Sequence, residues 1–205
     1  VVRKIKPKCG IIDLDDTFNY FTRFLCHLHN ELNDTCISET DITDWNFENL
    51  NLVDVRGNTV TGKELMNTFL KYEKAGLYSC LPVIEESKRA VNLMRLLGYK
   101  IIFLTARKEE YRAATELNLI ANDIIYDGVY FNKDKVQEIK RLKKTYNVQL
   151  FVDDHFDNVA NVAENCRINH VFLINKEHNK NFEEGEDVIR INNLFDSVRY
   201  LKDLT

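Results

Sequence analysis

Three carboxylates and a hydroxyl follow a short apolar run in Cys9-Gly10-Ile11-Ile12-Asp13-Leu14-Asp15-Asp16-Thr17. Such a run reads as a buried strand, and the ends of strands are where parallel α/β folds assemble their sites. Side chains alternate along an extended chain, so Asp13 and Asp15 project the same way if the strand continues and stay close if it turns. Unit charges about 4 Å apart repel by roughly 4 kcal/mol at an effective dielectric of about 20, so the pair calls for a cation, a shared proton or strong donors. Taken alone, the run also reads as a strand followed by an acidic helix cap.

A second acidic strand end weighs against that plainer reading. Leu150-Phe151-Val152 delivers Asp153 and Asp154, with Asp157 four residues after the first of them. Two such ends can share one Mg²⁺, a hard cation that prefers oxygen ligands and usually sits between carboxylates and a substrate phosphate. Between them, Lys100 to Leu104 forms another apolar run, ending in Thr105-Ala106-Arg107, and Asn132-Lys133-Asp134-Lys135 precedes a helical pattern. A hydroxyl and an ammonium are donors that suit phosphate oxygens. Singly, Thr105 also reads as a cap, and Lys133 and Lys135 as solvated lysines.

Taken in order, Asp-x-Asp-x-Thr after a strand, Thr after a later strand, Lys before a helix and Asp-Asp after another strand resemble the haloacid dehalogenase-like (HAD) superfamily. The resemblance covers all of the chain except residues 18–79. It implies a phosphomonoester hydrolase in which Asp13 attacks phosphorus and Asp15 protonates the departing oxygen, then takes a proton from water. It also implies Mg²⁺ held by Asp13, the main-chain carbonyl of Asp15 and one or more of Asp153, Asp154 and Asp157, with Asp153 favoured as the direct acidic ligand. Thr105 and the motif lysine would hold the nonbridging oxygens; Lys135 fits best because it opens the helix, and Lys133 stands two residues away. Asp16 departs from the Gly that many relatives carry there.

The elements that must position these residues follow from periodicity. Gly10 to Leu14, Lys100 to Leu104, Asp123 to Tyr126, Gln149 to Val152, His170 to Ile174 and Val188 to Ile191 read as strands. Ile84 to Leu97, Glu109 to Leu119, Lys135 to Tyr146 and Asn158 to Cys166 read as helices, with Gly98 stopping the first. Strands alternating with helices predict an α/β fold, a parallel Rossmann-like sheet flanked by helices. From Phe18 to Ser79 no buried strand is evident. Phe18, Phe21, Leu25, Leu28 and Leu32 share one helical face, and Glu64 to Lys74 gives a second helix. The polar stretch between them has Trp45 and Phe47 as its main anchors. Residues 18–79 are therefore expected to form a small helical cap inserted after the first strand, with 1–17 and 80–205 as the core domain. Its position and helical character resemble the cap of the 5'-nucleotidase and deoxyribonucleotidase branch. A nucleoside 5'-monophosphate is the favoured substrate, with Phe18, Tyr20, Phe21 and Trp45 as candidates to stack a base and Arg107 to meet a phosphate or ribose oxygen.

Composition bounds the alternatives. A chain of 205 residues supports one sizeable core with a small appended domain. A formal charge of -4 gives no general case for nucleic acid or an anionic membrane as partner. The five cysteines are odd in number, widely spaced and without a Cys-x-x-Cys pair, which points to a reducing, cytoplasmic setting rather than a zinc or disulfide framework. No stretch approaches a membrane span, and Val1 to Lys8 is basic without the apolar region of a signal peptide. A small phosphorylated substrate and a second copy of the chain, as a homodimer, are the candidate partners. Rival readings are a phosphatase for another small phosphate or a nucleic-acid end, a catalytically silent HAD-fold binding protein, and a receiver-like phosphoaspartate switch. The last requires neither Asp153-Asp154 nor the insertion.

Overall fold

The computed structural model describes residues 5–183 and 185–201. Residues 1–4 of the basic start and residues 184 and 202–205 of the expected core segment lie outside the described residues. Strands β1 (Lys8–Ile12), β4 (Lys100–Thr105), β5 (Gly128–Phe131), β6 (Asn147–Asp153), β7 (His170–Ile174) and β8 (Val188–Ile191) form one sheet in the order β5-β4-β1-β6-β7-β8. Every pairing in it is parallel. The apolar runs are nearly continuous because both faces are covered. Ile12, Ile101, Phe103, Leu150, Val152 and Phe172 point to one face, beneath α3 (Glu85–Leu96), α4 (Arg112–Ala121) and α7 (Leu194–Leu201). Their neighbours Ile11, Ile102, Leu104, Phe151 and Val171 point to the other, beneath α5 (Lys135–Leu142) and α6 (Phe156–Cys166).

After β1 the chain builds β4 and β5 to one side, then returns to place β6 on the other. The strand order therefore reverses at β1, the position where open α/β sheets leave a crevice beyond their carboxyl ends. Asp13 sits at that crevice and ties it together, its backbone N–H donating to the Val152 carbonyl at 2.9 Å.

Between β1 and α3 lie α1 (Phe21–Asn33), the antiparallel pair β2 (Asn51–Val53) and β3 (Thr59–Thr61), and α2 (Gly62–Lys74). They enclose a separate apolar cluster that includes Leu25, Ile42, Phe47, Val60 and Leu65. A reciprocal box starts α2: Thr61 Oγ1 accepts from the Glu64 N–H, and Glu64 Oε2 accepts from the Thr61 N–H at 2.8 Å. Gly62 is required there, because a Cβ would lie 1.5 Å from the Phe47 carbonyl oxygen.

Several elements differ from their expected positions. Phe18 does not join the first helix. It lies in the main core, its ring 4.7 Å from that of Phe103, and α1 begins three residues later. The strand expected at Asp123 to Tyr126 is a turn with Asp123 at positive φ, and the edge strand follows at Gly128–Phe131. The turn is fixed by the Ile124 N–H donating to the Leu119 carbonyl and by Asp127, which accepts from the Ile101 N–H. Helix α5 stops at Leu142, and Glu109–Tyr111 is a 3-10 turn ahead of α4. The short β2–β3 pair was not visible in the sequence because three-residue strands with mostly exposed side chains leave no alternation to read.

Candidate active site

Four strand ends and two helix starts converge over the crevice. Asp13, at the end of β1, is almost fully buried, and its Oδ1 accepts from Lys135 Nζ at 2.5 Å. Lys135 opens α5, where Asp134 caps the helix by accepting from the Gln137 N–H. Its ammonium also donates to the Leu104 carbonyl and lies 3.8 Å from Asp153 Oδ2. Lys133 is exposed and takes no part in this group. The spacing leaves the two lysines open; Lys135, the first residue of α5, points inward, and Lys133, in the loop two residues before it, is exposed.

Asp153 is held from two sides: the His155 N–H donates to Oδ1 at 2.8 Å and Asn158 Nδ2 donates to Oδ2 at 3.0 Å. Asp154 accepts from Thr17 Oγ1 at 3.2 Å, and its Oδ2 lies 3.1 Å from His178 Nε2. One carboxylate oxygen from each of Asp13, Asp153 and Asp154 falls within 4.8 Å of the others. Asp157 is exposed on the first turn of α6 and lies outside this group, which corrects its expected place among the acidic ligands. Four residues along a helix start carry it past the strand end; Asn158, one residue further, turns inward.

Burial drives Asp13 well above the ordinary carboxylate range, and Lys135 only partly opposes it. Asp153 is raised for the same reason. Lys135 is raised in spite of burial, because Asp13 and Asp153 favour its charge. Burial also opposes charge on Asp154 and His178, yet their hydrogen bond outweighs it, lowering the acid and raising the imidazole. Asp16, at positive φ, is pushed up to about 6 by burial and by Asp154. Three carboxylates facing one ammonium leave unbalanced negative charge, and their all-oxygen donor set fits a hard divalent cation such as Mg²⁺.

Asp15 turns the other way. Arg107 grips it with both arms of its guanidinium, Nε to Oδ2 at 2.9 Å and Nη2 to Oδ1 at 2.5 Å. Arg107 is itself wedged over the Tyr78 ring at 4.2 Å and donates from Nη1 to Thr115 Oγ1. Its side chain is only 2% exposed, and the carboxylate it meets is that of Asp15. Thr105, at the end of β4, is buried with its hydroxyl oxygen accepting from the Arg107 N–H, and it lines the cleft.

That cleft measures about 170 Å³. Asp13, Asp15, Thr105 and Asp153 lie along its core side, facing Phe21, Ile42, Trp45 and Phe47 of the inserted segment. Trp45 is 57% exposed and meets His155 edge to face at 4.7 Å between centroids, so it bridges to the core side instead of anchoring its own segment. Phe18, fully buried, is corrected as a base-stacking candidate, and Tyr20 lies beneath Arg23 and does not line the cleft. Thr17 stands in the first motif, but its partner Asp154 was not foreseen, and Asn158, His178 and Asn179 were missed. His178 and Asn179 follow the end of β7, a strand end that carries no acid to draw attention.

No family model matches the chain. A protein of Bacillus subtilis (strain 168), named "Putative nucleotidase YqfW", is 25% identical over 192 residues, covering 93% of this chain and 91% of that protein. The structure of L-2-haloacid dehalogenase from Xanthobacter autotrophicus superposes with a TM-score of 0.60 at 12% identity, over 98% of this chain and 100% of that one. The HAD phosphatase from Thermococcus onnurineus gives 0.53 at 18% identity, over 95% and 97%. A chain of the Pnkp1/Rnl/Hen1 RNA repair complex, of which this chain spans 39%, gives 0.44 at 19% identity and carries no argument. The fold is that of the haloacid dehalogenase-like hydrolases. Beyond the fold, the chain is similar in sequence to the Bacillus protein and in structure to phosphatases and dehalogenases of that superfamily.

Proposed function

We propose that the protein is a Mg²⁺-dependent phosphomonoesterase acting through a phosphoaspartate, with nucleoside 5'-monophosphates as substrates. The observation that carries the reading is the convergence of Asp13, Lys135, Thr105 and the Arg107-held Asp15 beside a buried carboxylate group. Asp13, Asp153 and Asp154, with the Asp15 carbonyl, would hold the cation, which when bound supplies positive charge to neutralise phosphate oxygens.

Asp13 forms a bond to phosphorus as the ester P–O bond breaks, and Asp15 gives its proton to the departing alkoxide oxygen. Asp15 then accepts a proton from water as the water oxygen bonds to phosphorus and the Asp13–phosphorus bond breaks, returning the carboxylate. Lys135 and Thr105 donate to the nonbridging oxygens, where negative charge would otherwise repel the incoming carboxylate. Residues 18–79 act as the cap, except that the Phe18 side chain belongs to the core, which residues 1–17 and 80–205 otherwise form. The cap's Phe21, Trp45 and Phe47 meet the leaving group, an apolar wall suited to a base. The name of the Bacillus relative supports a nucleotide over other small phosphates. All five cysteines are free, and among the described residues no helix is long and apolar enough to cross a membrane.

Phosphate release from ribo- and deoxyribonucleoside monophosphates, sugar phosphates and phosphoamino acids, with Mg²⁺ or chelator, tests the reading. Metal-dependent turnover led by nucleotides is expected. Sugar phosphates outperforming every nucleotide a hundredfold would overturn the substrate assignment.

A further inference from the structure

The turn after β7 is built as a bracket around one carboxylate. Asn179 is fully buried, and its Nδ2 donates to the Asp154 carbonyl and to the Ile174 carbonyl, each at 2.7 Å. One residue earlier, His178 Nε2 approaches both the Asp154 carbonyl, at 3.2 Å, and Asp154 Oδ2, at 3.1 Å. The turn therefore holds both the backbone and the side chain of Asp154.

The bracket is fastened from β8, at the edge of the sheet. Arg190 Nη1 donates to Asn179 Oδ1 and to Asn175 Oδ1, both at 2.9 Å, and Nη2 donates to the Phe182 carbonyl at 2.7 Å. The Lys176 N–H also donates to Asn179 Oδ1, at 3.2 Å. With both carboxamide ends committed, Asn179 has one orientation available, the one that aims Nδ2 at Asp154. A planar guanidinium with several fixed donors can pin three acceptors of one turn at once, which a lysine at the same position could not do. Burial and a fixed hydrogen-bond pattern make this a rigid support rather than a solvated loop contact.

We propose that Arg190, Asn179 and His178 form a positioning relay that fixes Asp154 for divalent-cation binding. Arg190 and Asn179 lie outside the cleft lining, and His178, at its rim, is turned onto Asp154, so each acts through Asp154. The proposal rests on the reading of Asp13, Asp153 and Asp154 as the cation's acidic ligands. Partners that orient a ligating carboxylate or imidazole typically change metal affinity about 10- to 100-fold when removed, and a loss in that range is expected here.

The test is calorimetric titration of the folded protein with Mg²⁺, and with Mn²⁺ as a tighter probe, for wild type, Arg190→Gln, Asn179→Ser and His178→Asn. Ser197→Ala serves as comparator; it removes a buried hydroxyl that donates to the Leu194 carbonyl on α7, remote from the cleft. The relay variants are expected to bind each cation about tenfold or more weakly, and to recover phosphate-releasing kcat when the cation is raised accordingly. The comparator is expected to lower Tm with unchanged cation affinity. Any one folded relay variant suffices for the measurement, so failure of another to fold does not remove it. Wild type binding neither cation would overturn the underlying cation reading. Wild type binding normally, with the folded relay variants binding equally well, would overturn the relay alone.

Discussion

Replacing Arg107 should disable the enzyme through Asp15 and not through substrate affinity. The guanidinium makes two hydrogen bonds to the Asp15 carboxylate, at 2.9 and 2.5 Å. Hydrogen bonds to charged groups are worth about 1.5–3 kcal/mol each, or about 3–6 kcal/mol for the two. The Asp15 side chain is 28% exposed, so water replaces part of what is lost, and a net cost of about 2–3 kcal/mol is the reasonable scale. If that energy fixes the carboxyl where the leaving oxygen departs, its loss lowers kcat by about 30- to 150-fold, at 1.36 kcal/mol per tenfold. Arg107→Lys keeps a positive charge but loses the two-armed grip, and should recover only a small part of the rate. Steady-state phosphate release, with circular dichroism and Tm to confirm folding, gives the answer. A folded Arg107→Lys or Arg107→Met protein with normal kcat and a raised KM would refute the argument and return Arg107 to the substrate-contacting role expected from sequence.

Further outcomes follow from the same geometry. Lys135→Met should reduce turnover by at least about a hundredfold, since it removes the ammonium nearest Asp13, while Lys133→Ala, at an exposed position, should leave kcat/KM within about threefold of wild type; equal losses would contradict the assignment of the motif lysine. Burial raises Asp13, Asp153 and Asp16, the last to about 6, so the folded protein holds protons that the unfolded chain has already released. Metal-free stability from these acids is therefore present at low pH and lost as pH rises through their folded values. Protons compete with the cation at these sites, so the Tm increase given by Mg²⁺ should grow as pH rises from about 5 to about 8; a constant increase across that range would argue against cation binding there. Gly62→Ala drives a Cβ to within 1.5 Å of the Phe47 carbonyl oxygen and should cost at least about 2 kcal/mol in denaturant unfolding, whereas an unchanged midpoint would show that the turn into α2 can give way.

What the sequence reveals here depends on how far a residue's role is set by its own strand end. Asp13, Thr105 and Asp153 each terminate a continuous apolar run, and covered parallel strands make such runs conspicuous. Lys135 was legible only to within two residues, because the start of a helix decides which lysine faces inward. The grip of Arg107 on Asp15 was not legible because the two lie 92 positions apart and no local pattern predicts that a charged side chain will meet another so distant. Phe18 was assigned to a helix by spacing, yet the chain needs three more residues to leave the crevice, and the side chain fills the core beside Phe103. Asp157 and Asn158 differ by one step on α6, and about 100° of helical rotation separates the exposed acid from the residue that holds Asp153. The support given by His178 and Asn179 is carried by tertiary hydrogen bonds from a turn that has no apolar residue and whose one acid, Glu177, is not paired at the strand end as Asp153 and Asp154 are.

The most direct test of the account is acid quenching during turnover of a radiolabelled nucleoside monophosphate with Mg²⁺, followed by location of the label by mass spectrometry. The account predicts a hydroxylamine-sensitive phosphoryl group on Asp13, and loss of both label and turnover in Asp13→Asn. Near wild-type turnover by Asp13→Asn, or full-rate phosphate release with no label on Asp13, would contradict it.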